Sequence, residues 1–420
     1  MSAPDPRSVE SARIPTASEV LVVGAGPAGS AAAAWAARRG YEVLLVDAAA
    51  FPRDKTCGDG LTPRAVAELD RLGLGDWVRA RATNRGLKLA GFGHEQVIAW
   101  PGGALPSVGS AVARTELDAR IREAAVDSGA SAVQARAVDI ERDGPRVAAV
   151  TLQTPEGVHT VACRTLVVAD GVRSPIGKLL GRTWHRDSAY GVAARAYAKT
   201  ERSTEEWISS DLELRDPSGK LQPGYGWVFP LANGEVNIGV GSLATARRPA
   251  DVALRPLLEQ YATLRSAEWE FEGPLRAVSS ALLPMGGAVS GVAGPNWALV
   301  GDAAACVNPL NGEGIDYGLE GGRMLADLLD APDLTALWPA TLRAHYGRAF
   351  SVARRLAALT TLPRVLPTAG PRALRSGRVM GVAVRVMGNL VTDEDTDLVA
   401  RMWRGSGGLS MRTDRRALFA

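Results

Sequence analysis

Three short stretches, far apart in the chain, constrain the fold more than anything else. They are VVGAGPAGSAAA at 22–33, VVADGVRSP at 167–175 and LVGDAAACVNPLNGEGIDYG at 299–318. In the first, Gly24, Gly26 and Gly29 stand between an apolar, strand-like run (Val20 to Val23) and an alanine-rich helix that opens with Pro27 and Ala28. That spacing gives a tight turn, lets the backbone approach a pyrophosphate and allows close helix–strand packing, with the helix N-terminus facing the phosphates. Asp47 ends the next apolar run (Val43 to Val46), where a carboxylate can accept ribose hydroxyls. The pairs Asp170-Gly171 and Gly301-Asp302 complete a pattern that suits FAD rather than NAD. A nucleotide domain built from segments this distant must have other structure inserted between them.

A chain of 420 residues is long enough for two packed domains or one large mixed one. Its 46% apolar and 22% charged residues are ordinary for a soluble globular protein. Three cysteines (Cys57, Cys163, Cys306) make no disulfide framework, which points to a reducing cytoplasm. No charged-then-apolar leader opens the chain, and residues 1–17, polar and Pro-containing, read as a frayed arm. No apolar run reaches the ~18 residues that a membrane-spanning helix needs.

The net charge of +3 hides an uneven distribution. From Leu334 to Thr392 there is no Asp or Glu, but there are nine Arg: Arg343, Arg348, Arg354, Arg355, Arg364, Arg372, Arg375, Arg378 and Arg385. Interleaved with Leu, Val, Met and Phe, they suit either a helix on an anionic membrane surface or the solvated face of a helical cap. Nucleic acid is excluded as a partner, because no recognition motif is present and the whole chain is only weakly basic.

Residues 19–80 read as β-α-β, then a Gly- and Pro-rich loop (FPRDKTCGDGLTP) and a helix started by Thr62-Pro63. A short apolar run at 108–112 precedes a helix over 115–128, followed by strands at 133–141, 147–153 and 166–169. Alternating units of this kind predict a parallel sheet with helical cover, an α/β core. From 185 to 285 the texture changes to long alternating runs. Asn233-Gly234, inside GYGWVFPLANGEVNIGVG at 224–241, predicts a hairpin. A side-chain period of two puts Tyr225, Trp227 and Phe229 on one strand face. An antiparallel sheet is therefore expected between parts of the nucleotide domain. The last part of the chain reads as helices over 321–329 and 337–362, broken by Pro363, Pro367 and Pro371.

A discontinuous Rossmann-type FAD domain with an inserted antiparallel sheet and a helical tail resembles the hydroxybenzoate-hydroxylase-like flavoproteins. Within that group, KTCGDGLTPRAV at 55–66, YGWVFP at 225–230 and LLPMGG at 282–287 resemble the geranylgeranyl reductase family, which saturates isoprenoid double bonds. The resemblance runs from about residue 18 to beyond 392. In GDAAACVNPLNGEGIDYG, VARRLAAL and VRVMGNLVTD it looks closest to the bacterial branch that reduces one β-isoprenyl unit of menaquinone. It implies FAD-domain segments over 18–84, 108–184 and 286–332, substrate-sheet segments over 85–107 and 185–285, and an Arg-rich, membrane-contacting helical region over 333–420.

The resemblance also implies roles. Gly24, Gly26 and Gly29 would hold the pyrophosphate, Asp47 the adenosine ribose, and Arg114 would lie near the phosphates. Asp302, after Gly301, would bind the ribityl chain. Pro309, Gly312, Gly314 and Ile315 would run beside the isoalloxazine, where N–H groups and a helix start stabilise negative charge on the reduced ring. Asp170-Gly171 either contacts the cofactor or forms a turn on its adenine side. Cys57, beside Gly58, matches the family's cysteine in the loop that meets the flavin.

An isoprenyl double bond has no carbonyl to activate it, so hydride delivery needs a proton at the other carbon and stabilisation of transient positive charge. Aromatic faces do this without offering a nucleophile. Tyr225, Trp227 and Phe229 thus read as a pocket wall, although such a face also fills a core. Cys57 reads as proton donor, as flavin-packing residue or as a bystander, and its pairing with Cys306 stays open. None of the four His falls in a metal or triad pattern, and no metal is expected. GVGSLA at 239–244 imitates a nucleotide loop on a hairpin strand, so the electron donor is open between NAD(P)H, a redox protein and a quinol. The substrate is a prenylated quinone or another polyprenyl lipid. Competing readings are a geranylgeranyl-lipid reductase, an aromatic monooxygenase or halogenase on the same fold, and a non-catalytic flavin-bound lipid carrier. The first expected outcome is that the purified chain releases FAD, not FMN, on denaturation, and that Gly26→Val abolishes its retention; release of FMN alone would contradict the assignment.

Overall fold

The first strand and helix of the chain touch almost without side chains between them. The computed structural model describes residues 14–420; most of the arm read over 1–17 lies outside them, and β1 (Ala17–Val23) has already begun at its end. β1 leads through Gly24 into α1 (Pro27–Arg38), which has Pro27 in its first turn and a nearly continuous buried alanine face. Gly24 has φ of +102°, and a Cβ there would lie 2.2 Å from the Ala169 carbonyl oxygen. A Cβ on Gly29 would lie 1.8 Å from the Gly24 carbonyl oxygen. Both positions therefore exclude any side chain, and their contact sets the angle at which α1 leaves the sheet.

β1 sits in the middle of a parallel sheet. It pairs with β2 (Val43–Asp47) on one side and with Gly157–Val168 on the other. Ser131–Gln134 and Trp297–Leu299 add to the two flanks in parallel. Its core is Val, Leu and Ala at or near zero exposure, covered by α1, by Arg114–Asp127 and by Ile315–Ala326. The strand expected over 133–141 is two: Ser131–Gln134 follows β2, and Arg136–Asp143 turns away to pair antiparallel with Arg146–Thr154. The strand expected at 166–169 starts earlier, at Gly157, and its first half is the antiparallel partner of Arg146–Thr154.

The second sheet has seven strands, in the order Glu272–Leu283, Tyr190–Lys199, Glu235–Ala244, Gly224–Pro230, Trp207–Asp211, Gly86–Gly91, His94–Ala99. It is antiparallel except where Trp207–Asp211 meets Gly86–Gly91, a parallel pair that the sequence pattern does not reveal. Helix Leu254–Trp269 covers one face around Leu257, Leu258 and Tyr261. The hairpin at Asn233-Gly234 forms, but its turn is longer than two residues. Positive φ falls on Ala232 and Gly234, and Leu231 closes the turn by donating its N–H to the Glu235 carbonyl.

Helices Leu337–Thr360, Val365–Leu374, Gly377–Met387 and Leu398–Arg412 end the chain. The break expected at three prolines occurs only around Pro363. Pro367 lies in the first turn of Val365–Leu374, where its missing N–H costs nothing, and Pro371 is absorbed inside that helix. Leu374, Met380 and Val384 pack on Leu89 and Ile208 of the second sheet and on Trp100 just past its last strand. The chain end then returns to the centre: Phe419 is fully buried and its N–H donates to the Gly287 carbonyl. Because Gly29 faces backbone rather than a movable side chain, Gly29→Ala should lower stability by about 1–3 kcal/mol or more. Chemical denaturation measures this, and an unchanged midpoint would contradict the close approach described above.

Candidate active site

Between the two sheets lies a cavity of ≈ 310 Å³, with walls from both and from helix Gly377–Met387. At its nucleotide end it meets the N-terminus of α1. Gly26 lines it, and a Cβ there would find only Arg53 Nη2 at 3.6 Å and Arg114 Nη2 at 4.0 Å. A helix start and two guanidinium groups thus converge on a space that only a missing side chain leaves open, which fits a pyrophosphate. Arg114 is almost fully buried and aimed by Asp118, with bonds of 2.6 and 2.7 Å. Asp47 accepts from the Ala25 N–H at 2.8 Å and the Ala49 N–H at 2.9 Å. Its carboxylate is therefore held at the mouth of the glycine turn, where ribose hydroxyls would lie.

Farther along, Asp302 accepts from Lys55 Nζ at 3.0 Å. Burial alone would raise its pKa, but Lys55, Arg114 and Arg182 outweigh burial and hold it below the usual carboxylate range. The loop over 307–315 and the start of helix Ile315–Ala326 form the next wall, with Gly312, Gly314 and Ile315 on the cavity. These residues fit FAD: phosphate-binding cations and N–H groups at one end, an ionised Asp in the middle, and exposed backbone beyond it.

At the reaction end, the loop carrying Cys57 is clamped to the second sheet. Asp59, with φ of +64°, is fully buried. One of its oxygens accepts from Tyr197 Oη at 2.7 Å and Asn237 Nδ2 at 2.8 Å, while the other has no partner among the described residues. Burial pushes Asp59 up to about 6, against the lowering effect of these two hydrogen bonds. Asn237 also donates to the Cys57 carbonyl at 2.9 Å, and its Oδ1 accepts from Trp227 Nε1 at 2.9 Å. Arg195, buried and stacked on Tyr197, donates to Asp54 and to the Lys55 carbonyl. The loop lies flat on the aromatics: a Cβ on Gly60 would be 2.8 Å from Phe229. Tyr225, Trp227 and Phe229 follow one another along the cavity as tilted rings with centroids 5.8 and 6.1 Å apart, and Tyr225 donates to the Asn311 carbonyl.

Of the residues read from sequence, Gly26, Pro27, Ala28, Cys57, Gly58 and Arg114 line this one cavity. So do Gly171, Tyr225, Trp227, Phe229, Gly301, Asp302, Gly312, Gly314 and Ile315. Gly24 and Gly29 stand behind it as packing positions, and Pro309 is not on its surface. The Asp170 oxygens accept from Ser174 Oγ at 2.6 Å and the Ile176 N–H at 2.9 Å, inside its own loop. The three cysteines are free, and Cys306 is buried. The 239–244 run lies within strand Glu235–Ala244. Sequence reasoning missed Asp59, Tyr197, Asn237, Arg195 and Glu313. One signal was available for Asn237: the Asn233-Gly234 hairpin places it directly opposite Phe229.

Residues 17–241 match the FAD binding domain family, and FAD is the cofactor. The chain is 63% identical over 403 residues to a menaquinone reductase of Mycobacterium tuberculosis, covering 96% of this chain and 98% of the relative. It is 30% identical over 323 residues to a digeranylgeranylglycerophospholipid reductase of Methanopyrus kandleri, covering 74% and 80% of the two chains. Among solved structures, a geranylgeranyl bacteriochlorophyll reductase-like protein of Thermoplasma acidophilum shares the fold, with a TM-score of 0.72 at 19% identity over 93% of this chain and 99% of the other. A discontinuous FAD domain, an inserted sheet and likeness over nearly the full length of both chains lead to one conclusion: this chain belongs to the menaquinone reductase family of FAD-binding oxidoreductases.

Proposed function

We propose that the chain saturates one isoprenyl double bond of menaquinone, that of the β-unit near the ring, in the cavity between the Cys57 loop and the aromatic strand. The observation that carries this reading is the cavity's course. From the FAD loops it continues along Tyr225, Trp227 and Phe229 into an apolar limb of Leu89, Trp100, Ile208, Leu212, Met380 and Val384. That limb offers a prenyl chain apolar contact and a quinone ring few polar partners. The identity to menaquinone reductases supports the choice of substrate over another polyprenyl lipid. A monooxygenase or halogenase reading has only the shared fold behind it.

Reduced FAD supplies the hydride. The protein's part is to hold the alkene beside it, exclude water and tolerate transient positive charge on a tertiary carbon. The three aromatic rings offer π faces to that charge and no nucleophile. Burial raises the Cys57 thiol above its ordinary value despite Arg114, so no thiolate is present to trap a cation. Asp59 and Asn237 fix the loop's backbone, and with it the distance between Cys57 and the aromatics. In this reading the FAD domain comprises 18–84, 108–184 and 286–332, the substrate sheet 85–107 and 185–285, and the reductant is NAD(P)H or a small redox protein.

The region over 333–420 takes the enzyme, as a peripheral protein, to the inner face of the cell membrane, where its substrate resides. Among the described residues no helix is long and apolar enough to cross a membrane. Arg354 and Arg355 pair with Asp414, and Arg385 with Asp395 and Asp397. Arg364, Arg372, Arg375 and Arg378 are exposed beside the exposed apolar Leu362, Val379 and Val382. Each basic residue reaching an anionic surface contributes about 1 kcal/mol.

Two outcomes follow. Under anaerobic conditions, menaquinone should reoxidise the reduced enzyme and gain two hydrogens in its prenyl chain, read by mass spectrometry; a requirement for oxygen would favour a monooxygenase, and no reoxidation at all a carrier. In flotation assays the protein should bind anionic vesicles at low salt and leave them at high salt, and replacing the four exposed Arg by Gln should weaken that binding. Binding indifferent to lipid charge and salt would make the segment an ordinary helical cap.

A further inference from the structure

We propose that Glu313 is the acid that delivers the proton to the prenyl double bond, acting from the cavity wall that it shares with Cys57 and Tyr225. The proposal rests on the reductase reading above and assigns the proton that this reading leaves without a source. Glu313 lines the cavity at the end of the loop that leads into helix Ile315–Ala326. Its backbone is pinned on both sides: the N–H donates to Asn311 Oδ1 at 2.9 Å, and the carbonyl accepts from the Asn308 N–H at 2.7 Å. One carboxyl oxygen, Oε1, accepts from the Ile315 N–H at 3.1 Å and the Asp316 N–H at 3.4 Å. No cationic side chain pairs with Glu313 among the described residues. The anchored oxygen fixes the carboxyl's orientation and leaves the second oxygen free to carry a proton. Tyr225, whose hydroxyl donates to the Asn311 carbonyl, binds the same loop, so the aromatic wall and the carboxyl are held to each other.

The groups facing Glu313 come from four elements. Asp316 lies on the helix that follows it, Arg114 on helix Arg114–Asp127, Cys57 on the clamped loop and Tyr225 on strand Gly224–Pro230. Burial, then the charge of Asp316, pushes Glu313 up to about 8, while backbone N–H groups and Arg114 pull the other way. Asp316 is itself raised by burial and by the charge of Glu320, against Arg64 and Asn389. Among the acids on the cavity, the Cys57 thiol and the Tyr225 phenol are both raised further by burial. Of the other carboxyls on the cavity, Asp302 is paired with Lys55 and Asp59 is bonded to Tyr197 and Asn237, whereas Glu313 holds a proton near neutral pH, which suits a general acid. In the step, the π pair of the alkene takes the Glu313 proton and becomes one C–H bond. The hydride assigned to reduced FAD makes the C–H bond at the neighbouring carbon, FAD is left oxidised, and the Glu313 carboxylate regains its proton from water before the next turnover.

The test uses the holoenzyme as wild type, Glu313→Gln and Glu313→Asp. Gln can still accept the two backbone N–H groups, so Glu313→Gln should keep FAD and still be reduced by dithionite. Its reoxidation by menaquinone should fall by ~10²–10⁴-fold, the usual cost of a lost general acid. Because the acid must hold its proton, wild-type reoxidation should be full below the raised pKa and fall as pH rises through it; Glu313→Gln should lack that limb, and Glu313→Asp should retain it. Infrared difference spectra, which need no turnover, should show a neutral carboxyl in the resting wild type that titrates in the same range and is missing from Glu313→Gln. Reoxidation of Glu313→Gln within about twofold of wild type, an unchanged alkaline limb, or no titrating carboxyl band would each overturn the assignment. If Glu313→Gln loses FAD, the limb in Glu313→Asp and the wild-type band decide. Should menaquinone fail to reoxidise the wild type as well, the reductase reading falls, and this proposal falls with it.

Discussion

Everything at the reaction end hangs on one buried carboxylate. Asp59 belongs by sequence to the nucleotide part of the chain, yet its hydrogen bonds go to Tyr197 and Asn237 of the second sheet. Its own carbonyl accepts from the Val112 N–H, on the nucleotide side. One residue therefore ties the two halves of the molecule at the point where Cys57 meets the aromatic wall. Burying a carboxyl is costly, and here one oxygen remains without a partner. The strain is local and the benefit positional: the loop cannot slide along Trp227 and Phe229 without breaking the clamp. Arg195, reaching from the same sheet to Asp54 and Lys55, fixes the preceding residues.

A second constraint acts from the opposite end. The glycine contact between β1 and α1 points a helix start at the cavity, while Arg53 and Arg114 bring positive charge to the same place. Between these ends the polarity changes along the cavity, from cations and N–H groups, past Asp302, to aromatic rings and finally aliphatic side chains. A dinucleotide with a polar tail and a flat redox ring suits the first part, and a polyprenyl chain suits the last. The reacting atoms of the two would meet where Cys57, Tyr225 and Glu313 share a wall.

Much of this was legible in sequence wherever the signal was local. The glycine spacing at 24–29 dictates a backbone conformation and a close approach, so it fixes the cofactor end regardless of distant context. Tyr225, Trp227 and Phe229 follow from the period of a strand. Asp59 and Asn237, in contrast, stand 178 positions apart, and nothing in either neighbourhood announces the other. Glu313 lies inside a recognised motif, but spacing gives it no role there, because its environment comes from burial beside Asp316. The same distinction explains the fold's departures. The parallel pair Trp207–Asp211 with Gly86–Gly91 joins segments more than a hundred residues apart, and Pro371 sits in a helix on the tolerance of its surroundings.

The central claim is that this cavity holds FAD and the β-isoprenyl unit of menaquinone together, and that the protein exists to saturate that unit. Mass spectrometry of the menaquinones from cells with and without the gene tests it most directly. Cells with the gene should carry menaquinone heavier by two hydrogens, with the gain located in the β-isoprenyl unit, and cells without it should carry the fully unsaturated form. Identical menaquinone in both would contradict the account.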